Sequence, residues 1–144
     1  MILVDANVLL YAQDSTCPQH DRARSWWDTL LSGGDDVALC WPVITAFLRI
    51  VTHSRIYRQP LSTAEALAVV NRWLTHPTVR LLTPTPEHWR LFQELLTTGQ
   101  ATANLVSDAH LAALAREHGA TVASTDADFA RFRGLRWVNP LAKA

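Results

Sequence analysis

The sequence predicts an α/β domain with a short, mainly parallel sheet. Short apolar runs of strand length recur along the 144-residue chain, and segments with helical periodicity separate them. No internal repeat or linker divides the chain, so we expect one domain that spans residues 1–144. In a sheet of this kind, functional side chains gather beyond the carboxyl ends of the strands.

Five apolar runs are the candidate strands. The first, "MILV", ends at Asp5 and has the character of a buried strand. Three later runs have a similar composition, and "LRWV" near the end of the chain predicts an edge strand. The predicted strands cover residues 1–4, 36–40, 78–82, 120–124 and 135–138.

Three helices are predicted in the first half of the chain. "ANVLLYAQ", residues 6–13, has helical spacing of its apolar positions, and the helix that begins at His20 is ended by Gly33 and Gly34. Pro42 suits the first turn of the third helix. The apolar residues of that helix recur at i, i+3, i+4 and i+7: Ile44, Phe47, Leu48 and Val51.

Two further helices follow the connector "RIYRQP". Ser62 and Glu65 form a capping-box pattern before a helix that runs through Leu74. Pro86 is expected to open the next helix, because proline is well suited to a first helical turn. The apolar residues on one side of this helix are Leu91, Phe92, Leu95 and Leu96.

The last helix carries one carboxylate on an otherwise apolar stretch. It begins "LVSDAHLAALA" at Leu105 and is stopped by Gly119, and the segment "TDADFARF" beyond the fourth strand predicts a short turn or helix. Burial of an unpaired carboxylate is unfavourable. Asp108 is therefore expected to have a hydrogen-bond donor, a cation or a metal as its partner.

Composition places the chain among ordinary globular proteins. Apolar residues make up 49% of the chain and charged residues 18%, which excludes a disordered protein. No apolar run approaches the roughly 20 residues that span a bilayer, so no membrane partner is expected. The N-terminus has no basic region typical of a signal peptide. We therefore expect a cytoplasmic protein in which Cys17 and Cys40 are reduced thiols.

A net charge of zero conceals an uneven distribution. Residues 1–36 contain six acidic side chains, whereas residues 37–64 contain none but hold three arginines. No acid follows Asp128, although four basic residues do. This pattern indicates an acidic pocket beside basic flanks, which suits a nucleic-acid partner, or else an ordinary solvated surface.

Four aspartates are predicted to converge on one edge of the sheet. Asp5 follows the first strand, Asp126 and Asp128 follow the fourth, and Asp108 lies in the first turns of the helix that leads into the fourth. Clustered carboxylates repel one another, and a divalent cation such as Mg²⁺ relieves that repulsion. A metal held in this way supports phosphodiester hydrolysis by an activated water. Alternatively, Asp5, Asp126 or Asp128 caps a helix.

Four segments, taken in order, resemble the motifs of PIN-domain proteins, and more closely those of the VapC toxins of VapBC toxin–antitoxin pairs. The segments are "LVDANVLLYA", "AFLRIVTHSRI", "NLVSDAHLAALAREHG" and "VASTDADFARF", and the resemblance extends from Ile2 to about Pro140. It implies a three-layer α/β/α sandwich and an endoribonuclease that depends on Mg²⁺ or Mn²⁺. It also implies structured RNA as substrate (tRNA or ribosomal RNA), a VapB-type antitoxin as partner, a homodimer, and contact with operator DNA only through the antitoxin.

The resemblance assigns roles to individual residues. Asp5 matches the first acid of the family, Asp108 the third and Asp126 the fourth, so these three are the implied catalytic residues. Together with Asp128, which accompanies Asp126, they are the implied metal ligands. Two polar residues match positions that support the site: Asn7 and Thr125.

Ala46 departs from the family pattern. The second acid of the family falls just before "FLR", and here no acid lies between Asp36 and Glu65. The site therefore has fewer ligands, and we expect weaker metal binding. Ala46, Arg49 and His53 have helical spacing, which predicts that Arg49 and His53 face RNA phosphate or, alternatively, form a solvent-exposed stripe.

Three functions fit these observations. The first is an endoribonuclease toxin, the second a PIN nuclease that acts in RNA processing or on flap DNA, and the third a nucleic-acid-binding module with an inactive site. The short chain without an appended domain disfavours the second. Ala46 favours the third, whereas the four retained aspartates oppose it.

Two expectations concern surfaces. Core or subunit packing is expected of four tryptophans on amphipathic helices (Trp26, Trp27, Trp73 and Trp89), whereas Trp41, just before Pro42, is the tryptophan best positioned for RNA. The antitoxin is expected to deliver an Arg or Lys into the carboxylate pocket. Its apolar residues are expected along the helices of residues 18–32 and 42–54.

Overall fold

A parallel sheet of five strands and six α-helices forms the fold in the computed structural model, which describes residues 1–143. Ala144, the last residue of the predicted domain, lies outside the described residues. The strands are β1 (Ile2–Val4), β2 (Val37–Leu39), β3 (Val79–Leu81), β4 (Thr121–Ala123) and β5 (Trp137–Val138). The helices are α1 (Ala6–Gln13), α2 (His20–Ser32), α3 (Trp41–Val51), α4 (Thr63–Thr75), α5 (His88–Thr98) and α6 (Leu105–His118).

The order of the strands creates a switch point between β1 and β4. The sheet runs β3-β2-β1-β4-β5, and every pair of neighbours is parallel. The chain moves outward from β1 to β3 and then crosses back to β4. Right-handed crossovers therefore put α1–α4 on one face and α5 and α6 on the other. The contacts agree, because α1 contacts α2 and α3, while α5 packs against α6. The result is the expected three-layer α/β/α sandwich.

The register of β1 and β4 sets up the functional edge. Leu3 pairs with Val122 and Val4 pairs with Ala123, so the chain leaves both strands at the same level. The Asp5 N–H still donates to the Ala123 carbonyl at 2.9 Å, which extends the ladder by one residue. Side chains just beyond these two strands are therefore neighbours, as the rule for parallel sheets predicts.

The helix boundaries confirm most local signals. The capping box of Ser62 and Glu65 is formed at the start of α4, and Gly119 ends α6 with a φ of 67°. The predicted start of α5 at Pro86 is wrong, because α5 begins at His88. A turn precedes it, in which the His88 N–H donates to the Thr85 carbonyl. The segment 127–131 is a short 3₁₀ helix.

The core lies between the sheet and its helices. Trp27 and Trp73 are buried there and meet edge to face, with ring centroids 5.9 Å apart. Trp89 is 63% exposed, so core packing is wrong for this residue, and subunit packing stays a prediction. Cys17 and Cys40 are free thiols. Within residues 1–143, no helix combines the length and the apolar character that a membrane crossing requires.

Candidate active site

Ser124 organises the functional edge of the sheet. It is fully buried, and it follows β4 as Asp5 follows β1. Its hydroxyl donates to Asp5 Oδ2 at 2.7 Å and accepts from Asn7 Nδ2 at 3.1 Å and from the Asp126 N–H at 3.0 Å. One buried hydroxyl thereby fixes the relative positions of three polar residues that the sequence predicted for the site.

Asp5 caps a helix and faces the cleft at the same time. Its Oδ1 accepts from the Ala6 N–H at 2.8 Å, so the capping alternative is confirmed. Burial raises the pKa of Asp5, the hydrogen bonds from Ser124 and Ala6 lower it, and the negative charge of Asp126 raises it again. Each carboxylate oxygen accepts one hydrogen bond from these partners and keeps a second lone pair for another ligand.

Asp108, Asp126 and Asp128 form a carboxylate cluster. One oxygen from each lies within 4.8 Å of the others, and among the described residues this group alone has a geometry that suits a metal. The Asp128 N–H donates to Asp126 Oδ1 at 2.9 Å, which caps the 3₁₀ helix and orients the Asp126 carboxylate. Asp5 is outside this group of three, but it lines the same cleft as Asp108.

Asp108 is the most perturbed member of the cluster. Partial burial, followed by the charges of Asp126, Asp5 and Asp128, raises its pKa from 3.8 to about 6, and Arg131 only partly opposes this. No donor among residues 1–143 hydrogen-bonds to its side chain. Of the three partners expected from the sequence, a protein hydrogen-bond donor is therefore absent in the part of the chain described.

A cleft of about 480 Å³ runs between α3 and α6 and has Asp5 and Ala6 at its base. Ala46 and Arg49 line it, as predicted for the face of α3 where the family has an acid. The helical position predicted for His53 is wrong, because α3 ends at Val51 and His53 lies in the turn beyond it, whereas its contact with RNA stays a prediction. There His53 Nδ1 accepts from the Arg55 N–H at 3.1 Å.

Sequence reasoning missed three residues of this region. Ser124 performs the supporting role that was expected of Thr125, which contributes only its backbone N–H, to Asn7 Oδ1 at 3.4 Å. Because Ser124 directly follows β4, the rule that selected Asp5 after β1 also identifies it. Thr45 and Ser107 line the cleft on opposite walls, and no sequence pattern distinguished them from other exposed hydroxyl groups.

Comparison with known proteins agrees with this geometry. The PIN domain family matches residues 2–135. Ribonuclease VapC37 of Mycobacterium tuberculosis is 44% identical over 99% of each chain, and Ribonuclease VapC33 of the same species is 43% identical over 98% of this chain and 99% of its own.

Two solved structures share the fold. VapBC2 from Rickettsia felis, bound to a DNA fragment from its promoter, has a TM-score of 0.72 at 17% identity and covers 96% of this chain and 98% of its own. VapC20 of Mycobacterium tuberculosis, a toxin that cleaves the sarcin-ricin loop, has a TM-score of 0.67 at 20% identity and covers 94% of this chain and 99% of its own. The family match and the two relatives above 40% identity settle the membership. The chain belongs to the PIN-domain family and, within it, to the VapC ribonucleases.

Proposed function

We propose that this VapC ribonuclease is a metal-dependent endoribonuclease and the toxin of a type II toxin–antitoxin pair. The observation that carries the proposal is the carboxylate cluster of Asp108, Asp126 and Asp128, whose oxygens lie within 4.8 Å of one another beside Asp5. The names of the relatives support ribonuclease activity. The carboxylates support the finer proposal, that Mg²⁺ or Mn²⁺ is the cofactor.

The donor set fits a hard divalent cation. All the side chains offer oxygen, the donor that Mg²⁺ prefers, and one oxygen from each of the three cluster members lies within 4.8 Å of the others, near enough for one ion. The raised pKa of Asp108, caused first by burial and then by the charges of the neighbouring carboxylates, also fits, because a cation stabilises the ionised form. Asp5, Asp108, Asp126 and Asp128 are the proposed ligands. A cation bound there supplies an oriented, acidified water and neutralises charge on the phosphate.

Other residues of the chain orient the carboxylates and bind the substrate. Ser124 orients Asp5, and Asn7 braces the turn after β4 through its bonds to Ser124 and to the Thr125 N–H. Arg49 is exposed on the opposite wall and has no ion pair within residues 1–143. Its guanidinium is positioned to bind an RNA phosphate in the cleft. Asp5, Asp108 and Asp126 are the proposed catalytic residues.

The partners follow from the same pocket. Asp5 and Asp108 give the cleft an acidic base and one acidic wall, which suits the guanidinium of an antitoxin tail. Two solved structures of the same fold, from Rickettsia felis and Salmonella typhimurium, are VapBC complexes bound to DNA. We propose a VapB-type antitoxin as inhibitor, a homodimer, operator DNA contacted through the antitoxin, and a cytoplasmic location.

One observation favours a second candidate function. Ala46 lines the cleft at the position of the family's second acid, so the site has one carboxylate fewer. A nucleic-acid-binding PIN module with weakened catalysis fits that loss. Cleavage by the purified chain separates the two candidates, since a binding module retains RNA affinity but does not cut.

The test is cleavage of tRNA and ribosomal RNA by the purified protein in Mg²⁺ and, separately, in EDTA. We expect discrete fragments with Mg²⁺ only, and none from Asp126→Asn. The matched control is Asp35→Asn, which removes an exposed carboxylate that does not line the cleft. Cleavage that persists in EDTA would contradict the metal mechanism. Binding without cleavage by the wild type would favour the second candidate.

A further inference from the structure

The wall of the cleft formed by α3 presents an exposed stripe. Trp41, Thr45 and Arg49 are all exposed and follow one another at four-residue intervals, so they lie along one side of the helix. Thr45 and Arg49 line the cleft, and so does Pro42, the residue next to Trp41. Trp41 is therefore adjacent in the chain to the cleft lining, at the end of α3 nearest the carboxyl edge of the sheet.

The sheet brings Trp41 close to the catalytic edge. Trp41 comes two residues after β2, Asp5 comes one residue after β1, and β1 and β2 are neighbours in the sheet. Cys40, which connects β2 to Trp41, is buried and lies within range of the Asp5 charge. The backbone that carries the indole is thus anchored in the core, while the indole itself extends outward.

Trp41 is an unpartnered aromatic side chain. Its side chain is 52% exposed, and no other aromatic ring within residues 1–143 packs against it. The two buried tryptophans, Trp27 and Trp73, pack against each other, and the exposed Trp89 meets Phe92 with centroids 6.0 Å apart. An exposed indole with no aromatic partner, placed beside a polar cleft, presents a free face on which a base can stack.

The charge of the wall favours a nucleotide as that molecule. Residues 37–64 contain no acid, and Arg49 makes no ion pair in the described part of the chain. A flat aromatic ring at one end of a helix and a free guanidinium two turns along match the two halves of a nucleotide strand, the base and the phosphate. The opposite wall, which carries Asp108, provides the acidic side for a cation or a basic side chain.

We propose that Trp41 stacks on an unpaired base of the RNA substrate next to the cleavage site, while Arg49 binds the backbone beyond it. This inference rests on the proposed ribonuclease function and deepens it. A base that stacks on a side chain has to leave its helix, so the substrate segment is a loop or bulge rather than continuous duplex. Stacking tolerates any base, so Trp41 selects unpaired structure rather than sequence.

The experiment compares Trp41→Ala, Trp41→Phe and Trp89→Ala on a stem-loop RNA and on a fully paired duplex of the same composition. Cleavage kinetics in Mg²⁺ give KM and kcat, and fluorescence anisotropy in EDTA gives the Kd without cleavage. We expect Trp41→Ala to raise KM and Kd for the stem-loop by about 10- to 100-fold and to leave the weaker duplex binding unchanged. Trp41→Phe retains an aromatic face and is expected to stay within about threefold of wild type.

The matched control is Trp89→Ala, which removes an exposed indole on α5 and is expected to behave as wild type. Unchanged KM and Kd in Trp41→Ala would overturn the inference. So would a Trp41→Ala protein that binds RNA normally but loses its dimer or its antitoxin, because the indole would then belong to a protein interface. If the wild type binds the stem-loop but cleaves no RNA, the proposed function fails, whereas the anisotropy still decides the role of Trp41.

Discussion

Neutralising Asp108 is predicted to stabilise the metal-free protein while abolishing its activity. The free-energy equivalent of a pKa that rises from 3.8 to about 6 is about 3 kcal/mol at neutral pH. Solvent reaches part of this side chain, and screening reduces the figure to about 1–2 kcal/mol. The dipole at the N-terminus of α6 stabilises the ionised form of Asp108 by a few tenths of a kcal/mol, which is less than this destabilisation. Asp108→Asn should therefore raise the melting temperature by about 3–6 °C.

The stability difference between Asp108→Asn and the wild type should depend on pH. Because the pKa of Asp108 is higher in the folded state, the folded chain binds a proton between about pH 4 and pH 6 that the unfolded chain has released. The free energy of unfolding of the wild type therefore falls as the pH rises through this window. The asparagine variant has no such proton. The free energy of unfolding of the variant should therefore equal that of the wild type near pH 4, exceed it increasingly between pH 4 and 6, and show the full difference at pH 7.

Thermal denaturation in EDTA at several pH values measures the difference, and Asp35→Asn serves as the matched control. A second series in excess Mg²⁺ should reverse the order, because bound metal stabilises the wild type by mass action and the variant much less. RNA cleavage by Asp108→Asn should be undetectable. The reasoning is refuted if Asp108→Asn melts below the wild type at pH 7 in EDTA, or if its advantage is as large at pH 4.

Three further outcomes are expected. Ala46→Glu returns a carboxylate to the cleft wall and should tighten Mg²⁺ binding in calorimetry; an unchanged affinity would mean that residue 46 does not reach the metal. Ser124→Ala removes the hydroxyl that bonds to Asp5, Asn7 and the Asp126 N–H. It should lower the free energy of unfolding, measured by urea denaturation, by about 2 kcal/mol. The control Ser25→Ala, which removes an exposed hydroxyl, should leave this free energy unchanged. An antitoxin tail should no longer inhibit RNA cleavage when its Arg and Lys residues are replaced, and high Mg²⁺ should displace the intact tail in an RNase assay. Full inhibition by a tail that lacks Arg and Lys would indicate a steric mechanism.

The fold was largely predictable because its determinants are local. Short apolar runs specify the three inner strands β1, β2 and β4, which are largely buried, and the alternation of strands with helices leaves few topologies besides a parallel sheet. Ser62 with Glu65, and Gly119, mark helix ends through hydrogen bonds within a few residues. The two boundaries that failed, at Pro86 and near His53, lie at turns, one closed by the His88 N–H on the Thr85 carbonyl and the other by the Arg55 N–H on His53 Nδ1.

The convergence of the acids was also predictable, since strand ends and helix starts share one edge of a parallel sheet. Asp5, Asp126 and Asp128 follow strands, and Asp108 opens the helix before β4. The sequence by itself therefore predicted which carboxylates lie near one another and that Ala46 and Arg49 share a face of α3.

Only the tertiary structure decided how those residues are held. Ser124 hydrogen-bonds to residues 117 and 119 positions away in the chain, and such contacts leave no periodic trace in a sequence. The pKa of Asp108 depends on the distances to three other carboxylates and on burial by neighbouring elements. Exposure likewise separated Trp89 from Trp27 and Trp73, because burial depends on what packs against a helix face and not on the helix alone.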